Sequence, residues 1–288
     1  MGAATGRAHS LWRYRVKVCF FAPMAYAYFK PSGATWAGGA ETHQVLVGRY
    51  LLSKGVSVSF IVGDYGQPAV EDEGGITLIK SFSPFKGNRK LRFIPDMISI
   101  RRAMRLADAD VYNQRSTSFF TGQLAWFARG LGRAFTFSVG SDYNAYPDCR
   151  GLLPAPMAAL YRWGIARADA VIAQTEEQKR LMEKHFKRQI ALIRNGIPIP
   201  DSSEASAEPN FDEGKPPTFL WVGTLRTMKR AEIFIELARR VREARFILIG
   251  GNIYNEKYRR SIMEAGRAFL WSGVAALILL PFLNVSQS

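Results

Sequence analysis

Pro31 to Gln44 reads PSGATWAGGAETHQ, a glycine-rich loop running into a helix with Glu41 and His43 in its first turn. Glycine lets backbone approach a ligand closely, and the free N–H groups at a helix start favour an anion. Gly38 and Gly39 therefore read as a phosphate-binding turn, with a flexible loop as the alternative. Gly33, Gly38 and Gly39 do not follow the G-x-G-x-x-G spacing of dinucleotide sites, and the second strand ends on Gly63-Asp64 as its nearest acidic candidate. A nicotinamide cofactor is thus a poor match. Glu41 reads as a residue that orients the loop, and His43 as a packed ring rather than a catalytic one.

A second stretch, WVGTLRTMKR, spans Trp221 to Arg230. A strand ends at Gly223, the loop carries Arg226, and a helix is expected to begin near Lys229. Two cations at a strand-to-helix junction suit a diphosphate. A lysine at a helix start opposes the helix dipole, which a nearby anion would explain; a solvated helix start is the alternative. A third stretch, Arg194 to Pro198, contains Asn195-Gly196, a pair that permits a left-handed turn and alone says no more. Asn113, Gln114, Arg115 and Asp142 fall at or just after strand ends, on the side where α/β sheets take ligands. Thr175, Glu176, Glu177 and Gln178 fit a T-x-x-Q capping box, so the glutamate pair reads as structural.

Composition narrows the chemistry. Cys19 and Cys149 are the two cysteines, far apart, and His9, His43 and His185 the three histidines, with no HExxH. This argues against a disulfide scaffold or a metal site and favours a reducing, cytoplasmic setting. No metal and no cofactor are expected. The formal charge of +15 points to anionic partners. Between Ile76 and Arg133 eleven Lys/Arg face three Asp, densest in KGNRKLR (Lys86 to Arg92) and RRAMR (Arg101 to Arg105). A solvated basic face and an anionic membrane surface are both open readings. Nucleic acid is not expected, because no aromatic side chains alternate with these cations.

These residues must be positioned by alternating strands and helices. Val16, Val18 and Phe20 alternate with Lys17 and Cys19, so Arg15 to Ala22 is read as a first strand and not as a signal peptide. A helix follows over Ala40 to Lys54, with His43, Val47, Tyr50 and Leu51 on one face. Strands are expected at Val56 to Gly63, ITLIKSF, ADVYNQ, AFTFSVG, Asp169 to Thr175 and IALIRNG. Helices are expected from Pro95-Asp96 to Ala107 with Asp96 as N-cap, from Ser118 to Gly130, and near Met157 to Arg167. Alternation of this kind means a parallel sheet covered by helices. Residues 197–217, rich in proline, serine and acids, read as a linker. The pattern restarts with strand Thr218 to Gly223, helix Lys229 to Ala244, strand Arg245 to Gly251 and helix Tyr254 to Gly266.

In series, GGAETHQVLVGRYLLSKGVSVSFIVG, ADAVIAQTEEQKRLMEKHF with IALIRNGIP, and FLWVGTLRTMKRAEIFIELARRV with RFILIGG resemble the family 4 retaining glycosyltransferases of the GT-B fold. The resemblance covers roughly Val16 to Arg267. It implies an α/β protein with two Rossmann-like domains facing each other across a cleft. The N-terminal one, 1–196, would be the acceptor side; the second, 218–267, would be an incomplete nucleotide-sugar domain. A sugar would pass from a nucleotide-sugar donor to an acceptor hydroxyl with retention, the leaving diphosphate held by protein cations and helix dipoles instead of a metal. The acceptor would be a glycan or lipid-linked sugar of the cell envelope or an exopolysaccharide, which places the protein in the cytoplasm or at the inner membrane face. The resemblance assigns Gly38, Gly39, Gly223, Arg226 and Lys229 to the donor phosphates, and Glu41, Asn113, Arg115, Asp142 and Asn195 to the acceptor side. The family's arginine after Val-Gly is replaced here by Thr224, with Arg226 as a substitute from two positions on.

The sequence departs from the family after Arg267. The expected block with two glutamates seven residues apart is missing, and the uncharged run AFLWSGVAALILLPFLNVSQS, residues 268–288, stands in its place. It reads as a truncated or frameshifted end, as a buried segment, or as a membrane anchor over Ala268 to Leu283. The alternative function is a non-catalytic Rossmann-like remnant that binds an anionic ligand, a lipid surface or a protein.

Overall fold

A computed structural model of the protein describes residues 15–30, 38–84, 89–197, 216–251, 256–270 and 275–279. Gly33 and most of the 197–217 stretch lie outside them. The chain divides into two units, Met1–Ile197 and Pro198–Ser288.

The first unit is built on an eight-stranded sheet. Its strands are β1 (Lys17–Phe21), β2 (Ser57–Val62), β3 (Val70–Glu73), β4 (Ile76–Lys80), β5 (Val111–Arg115), β6 (Ala134–Ser138), β7 (Ala170–Ala173) and β8 (Ala191–Leu192). They lie in the order β3-β4-β2-β1-β5-β6-β7-β8, all parallel except β3. The helices are α1 (Tyr26–Phe29), α2 (Gly39–Ser53), α3 (Arg89–Ala107), α4 (Thr121–Gly130), α5 (Ala155–Arg167) and α6 (Glu176–Phe186). Strand alternation sends neighbouring side chains to opposite faces. Cys19, Phe21, Tyr112, Phe135, Phe137 and Val171 pack under α3, α4, α5 and α6, against Ile100, Met104, Leu124, Phe127, Tyr161, Ile165 and Met182. Phe20, Val58, Phe60 and Leu78 point the other way, to Tyr26 and Phe29 of α1 and Val45 of α2.

Most expected elements are present, with informative differences. The fully buried residues of α2 are Gln44, Val45 and Gly48; on the face read from His43 to Leu51, Val47 and Leu51 pack partly buried against the same core, while Tyr50 is 62 % exposed. Helix α3 does not open at Pro95: the proline lies inside it. Asp96 is no N-cap but a buried carboxylate paired with Arg92 one turn earlier, 2.9 Å away. Helix α4 begins three residues after Ser118, because Ser118 is held in a turn by Thr121, whose Oγ1 accepts from the Ser118 N–H. Strand β3, sequence VEDE, has no apolar pattern to announce it; it is an edge strand turned back on β4 through Gly74 and Gly75, both at positive φ.

The end of α3 is tied to the start of β5 by one phenol. Tyr112 Oη donates to the Met104 carbonyl at 2.5 Å and accepts from the Ala109 N–H at 3.2 Å, inside the core. Helices α4 and α5 meet closely at Gly122, where a Cβ would lie 2.3 Å from the Leu160 carbonyl oxygen. Both cysteines are buried, and burial pushes the Cys19 thiol up to about 12.

The second unit has strands β9 (Thr218–Thr224), β10 (Arg245–Gly251) and β11 (Ala275–Leu279), parallel in the order β11-β10-β9, with α7 (Ala231–Arg240) and α8 (Glu256–Leu270). Leu225, Ala231, Ile235, Leu248 and Ile262 form its core. The apolar run that starts at Ala268 enters this unit in part: its first three residues finish α8, and Ala275–Leu279 pairs with Phe246 to Gly250 of β10. Helix α7 starts at Ala231 rather than Lys229, and its buried residues are Ala231, Ile235 and Ala238, with Leu237 exposed.

Replacing Tyr112 by Phe removes both bonds of the phenol: the buried Ala109 N–H loses its acceptor, while the Met104 carbonyl keeps the Asp108 N–H at 3.2 Å. The expected loss is about 1–3 kcal/mol in urea unfolding, with the folded spectrum unchanged. A loss near zero would show that the clamp between α3 and β5 is dispensable.

Candidate functional site

The parallel strands of the first unit put their carboxyl ends along one edge, and the polar residues gather there. Arg115, the last residue of β5, donates from Nη2 to Gln174 Oε1 at 2.8 Å and to Asn195 Oδ1 at 3.2 Å. The Asn195 amide donates in turn to Gln174 Oε1. Gln174 Nε2 reaches the Gly140 carbonyl at 3.1 Å. Gln178 links the cluster to Asp142: its Nε2 donates to Asp142 Oδ1 at 3.1 Å, while its Oε1 accepts from the Gln174 N–H. The Thr175 side chain caps α6 through the Gln178 N–H, as the spacing predicts.

Gly140 is what allows this closeness. A Cβ there would sit 1.7 Å from Ser116 Oγ, so the chain leaving β6 can lie against the chain leaving β5 only without a side chain. Ser116 itself is left-handed, φ 65°. Asn144 Oδ1 holds the same turn by accepting from the Gly140 and Ser141 N–H groups at 2.9 and 3.0 Å.

Below this edge a cavity of about 230 Å³ opens on the sheet face that carries α2. Its lining joins polar Arg115, Asn113, Ser138, Gln174 and His43 with apolar Val18, Val47 and Leu51. The stripe His43, Val47, Leu51 thus faces this cavity. Asn113 Nδ2 donates to Thr136 Oγ1 at 2.9 Å and Ser138 Oγ at 3.2 Å, which leaves its carbonyl toward further partners. The Arg115 Nε is buried and has no hydrogen-bond partner among the described residues. Burial pulls the Arg115 guanidinium below its usual value, opposed by the Glu41 carboxylate. Burial, then the Arg115 charge, lowers His43 as well, so the imidazole is neutral at neutral pH.

At the start of α2, Glu41 Oε2 accepts from the Gly38 N–H at 3.1 Å. That donor is therefore engaged by the chain itself. Gly39 has open space around it. Tyr28 Oη lies against Thr42 Oγ1 and holds the loop end to α1.

In the second unit, β9 ends beside Gly223, and the chain turns through Arg226 into a single helical turn, Thr227–Lys229. Arg230 follows at φ 54°, left-handed, and only then does α7 begin. Lys229 is therefore on the turn before the helix, exposed, and does not sit within the first turn of α7. Arg230 Nε donates to Glu232 Oε1 at 2.6 Å, and Tyr258 donates to the other Glu232 oxygen, which holds that carboxyl below its usual range. Three cations, Arg226, Lys229 and Arg230, thus cluster within five residues at the carboxyl end of β9.

The structure gathers Asn113, Arg115, Asp142 and Asn195 at one edge, with Glu41 within electrostatic reach of Arg115. To this edge it adds Gln174 and Ser138, which the sequence reading passed over, and Gln178, read from the sequence only as part of a cap; separately, in the second unit, it adds Arg230. Gln174 directly follows β7, so the strand-end rule that found Asn113 and Arg115 would have found it too. Arg230 gave no such signal, since a left-handed arginine is rare.

The family model of Glycosyltransferase Family 4 matches residues 37–199. No curated protein matches the chain in sequence. Among solved structures, the catalytic domain of starch synthase IV from Arabidopsis thaliana, bound to ADP and acarbose, aligns at 14 % identity with a TM-score of 0.64 over 92 % of this chain and 74 % of that one. An OtsA apo structure aligns at 13 % identity and TM-score 0.63, over 93 % and 74 %. Anabaena HepE in complex with UDP and glucose aligns at 15 % identity and TM-score 0.58, over 92 % and 70 %. At these identities the likeness is one of fold: α/β, with a mostly parallel sheet, as in GT-B glycosyltransferases.

His43 should titrate below its ordinary 6.5 by proton NMR, and Arg115→Gln should move its midpoint up toward that value, because one of the two causes is gone. The folded state then holds fewer protons than the unfolded chain just below pH 6.5, so His43 withdraws stability as pH falls through that value toward the lower folded midpoint. A midpoint unmoved by Arg115→Gln would break the pairing.

Proposed function

We propose a function from one premise: this chain belongs to Glycosyltransferase Family 4. It transfers a sugar from a nucleotide-sugar donor to an acceptor hydroxyl, with retention at the anomeric carbon, in the assembly of a cell-envelope glycan or exopolysaccharide. The observation that carries this reading is the amide-rich edge of Asn113, Gln174 and Asn195 around Arg115, above the cavity. A sugar hydroxyl both donates and accepts a hydrogen bond, and so does a carboxamide. A site made for phosphate alone would show cations without amides.

The acceptor is assigned to this edge, with Glu41, Asn113, Arg115, Asp142 and Asn195 as its candidate contacts. In the second unit the donor diphosphate is assigned to Gly223, Arg226 and Lys229, joined by Arg230. The exposed ammonium of Lys229 can swing to a phosphate, while the space beside Gly223 is taken by the Trp221 ring, so Gly223 can contribute only through its backbone. Gly38 and Gly39 remain phosphate candidates, through the N–H of Gly39 more than that of Gly38. In this reading the negative charge that develops on the leaving diphosphate is met by these cations, and neither a metal nor an organic cofactor is called on.

The test is calorimetric titration of the intact chain with UDP-glucose and ADP-glucose, followed by transfer assays. Binding of one donor is expected, and Lys229→Ala should weaken it about tenfold or more, since a charge-assisted contact is worth roughly 1.5–3 kcal/mol. Donor affinity that survives Lys229→Ala unchanged would remove the lysine from the site. No binding of any nucleotide-sugar would leave the alternative of a non-catalytic anion- or lipid-binding module.

A second expectation concerns the acceptor edge. Arg115→Gln should leave donor affinity in place and raise the KM for acceptor, because the guanidinium aligns Gln174 and Asn195 in the first unit. A change in donor affinity instead would reassign the residue.

A further inference from the structure

The hydrogen-bond network of the first unit continues past the amide edge. From Arg115 it runs through Gln174 and Gln178 to Asp142, the first residue of a short turn, Asp142–Ala145, that follows β6. Tyr143, Tyr146 and Arg150 come next and form a stack at the surface. The Arg150 guanidinium lies 4.3 Å from the centre of the Tyr146 ring and 5.4 Å from that of Tyr143. Its Nη2 donates to the Tyr146 hydroxyl at 2.7 Å. The Tyr146 ring also meets the His185 ring of α6, with centres 4.9 Å apart.

An unusual backbone aims this arginine. Cys149, Arg150 and Gly151 are all left-handed, at φ 52°, 56° and 78°. Non-glycine residues persist in that state where their surroundings fix them. Cys149 is buried with its Sγ on Thr117 Oγ1 at 3.4 Å, and its N–H donates to the Tyr146 carbonyl at 3.0 Å. The Leu153 N–H closes the loop on the Asp148 carbonyl at 3.3 Å. The Asp148 carboxylate accepts from the Arg150 N–H at 3.0 Å and so holds its backbone. Among the described residues no carboxylate forms an ion pair with the Arg150 guanidinium, and Asp142 acts on it only from farther off. The nearby Arg180, by contrast, grips both oxygens of Glu177 at 2.7 and 2.8 Å. Arg150 is exposed. Its guanidinium is therefore held in place while most of its donors stay free for a ligand.

A fixed guanidinium fork matches a carboxylate or a phosphate. A tyrosine beside it offers an apolar face and a polar tip, which suits the ring of a sugar. We propose that Arg150, held by Tyr143 and Tyr146, is a specificity-determining residue that takes a sugar bearing a carboxylate or a phosphate. The inference rests on the acceptor assignment made above and names the class of acceptor: an acidic glycan. Its reacting unit lies on the edge of Asn113 and Arg115, and its charged unit lies beyond Asp142, on Arg150. A neutral sugar would leave the guanidinium unused, and a bare anion would leave the rings unused.

The test is titration of the intact chain, followed by saturation-transfer NMR, with glucuronate, glucose 6-phosphate, glucose and inorganic phosphate at constant ionic strength and without donor. One of the two acidic sugars is expected to bind about tenfold or more tightly than glucose, and which one it is tells carboxylate from phosphate. Arg150→Gln should remove that preference, and Arg150→Lys should restore only part of it, because an ammonium lacks the fork. Tyr146→Phe keeps the ring but releases Nη2 and should weaken binding roughly three- to tenfold. Arg129→Gln, the same loss of charge on α4, should leave the preference in place. Thermal melts matching the parent chain show that each variant is folded. No binding of either acidic sugar, equal binding of glucose or of inorganic phosphate, or a preference that survives Arg150→Gln overturns the proposal. So does a preference lost in Lys229→Ala alone, which would put the sugar on the cations of the second unit. Because no donor is present, a chain that transfers no sugar would still show the preference. Transfer to an acceptor by a chain without it would overturn this inference and leave the proposed function standing.

Discussion

Parallel pairing is the constraint from which the rest of the first unit follows. Strands β1, β2, β4, β5, β6, β7 and β8 all run the same way, so every carboxyl end arrives at one edge and every connecting helix must return along a face. The edge then holds a row of chain exits whose backbone groups have left the ladder. Side-chain amides take them up: Gln174 on the Gly140 carbonyl, Asn144 on the Gly140 and Ser141 N–H groups. The same groups complete the hydrogen bonding that the strand ladder leaves open. Gly140 is the point where a single methyl group would run into Ser116, just past the ends of β6 and β5.

Alternation along the strands divides labour across the sheet. Tyr112 and Asn113 are adjacent in β5; one clamps α3 from the core and the other faces the cavity with its carboxamide. Phe137 and Ser138 repeat the division in β6. A polar residue next to a buried aromatic is thus a consequence of the pleat, with a hydrophobic layer on one side and a partly polar cavity on the other. The second unit begins the same construction, with β9, β10 and β11 parallel and cations gathered after β9.

Much of this was legible in the sequence because it rests on local signals. Apolar residues and their place in the strand–helix alternation announced β1, β2 and β6, and the Thr175 cap announced α6. What escaped depends on distant partners. Strand β3 exists because β4 offers it an edge, not because VEDE favours a strand. Pro95 looked like a helix start, yet packing of Phe93 on Phe120 and the Arg92–Asp96 pair keep the preceding turns of α3 helical. His43 had the spacing of a core residue; its face packs on the core through Val47 and Leu51 and also borders a cavity, which no local pattern signals. Lys229 was placed on a helix that begins only after a left-handed Arg230, a backbone state that no residue pattern signals. Arg115 was found by its position at a strand end, whereas its grip on Gln174 and Asn195 spans 59 and 80 residues of chain.

The two cysteines give this architecture an internal clock. Cys19 lies at the centre of the sheet with no exposed surface, and Cys149 is buried beside Thr117 in the segment before α5. Burial keeps both protonated and shielded, so neither reacts with an alkylating reagent while its surroundings are closed. Each labelling rate therefore measures how often its own neighbourhood opens. Opening at Cys19 requires the central strands to part, while opening at Cys149 requires only the segment between β6 and α5 to lift. The ratio of the two rates would report how independently the margin at the strands' carboxyl ends breathes from the middle of the unit.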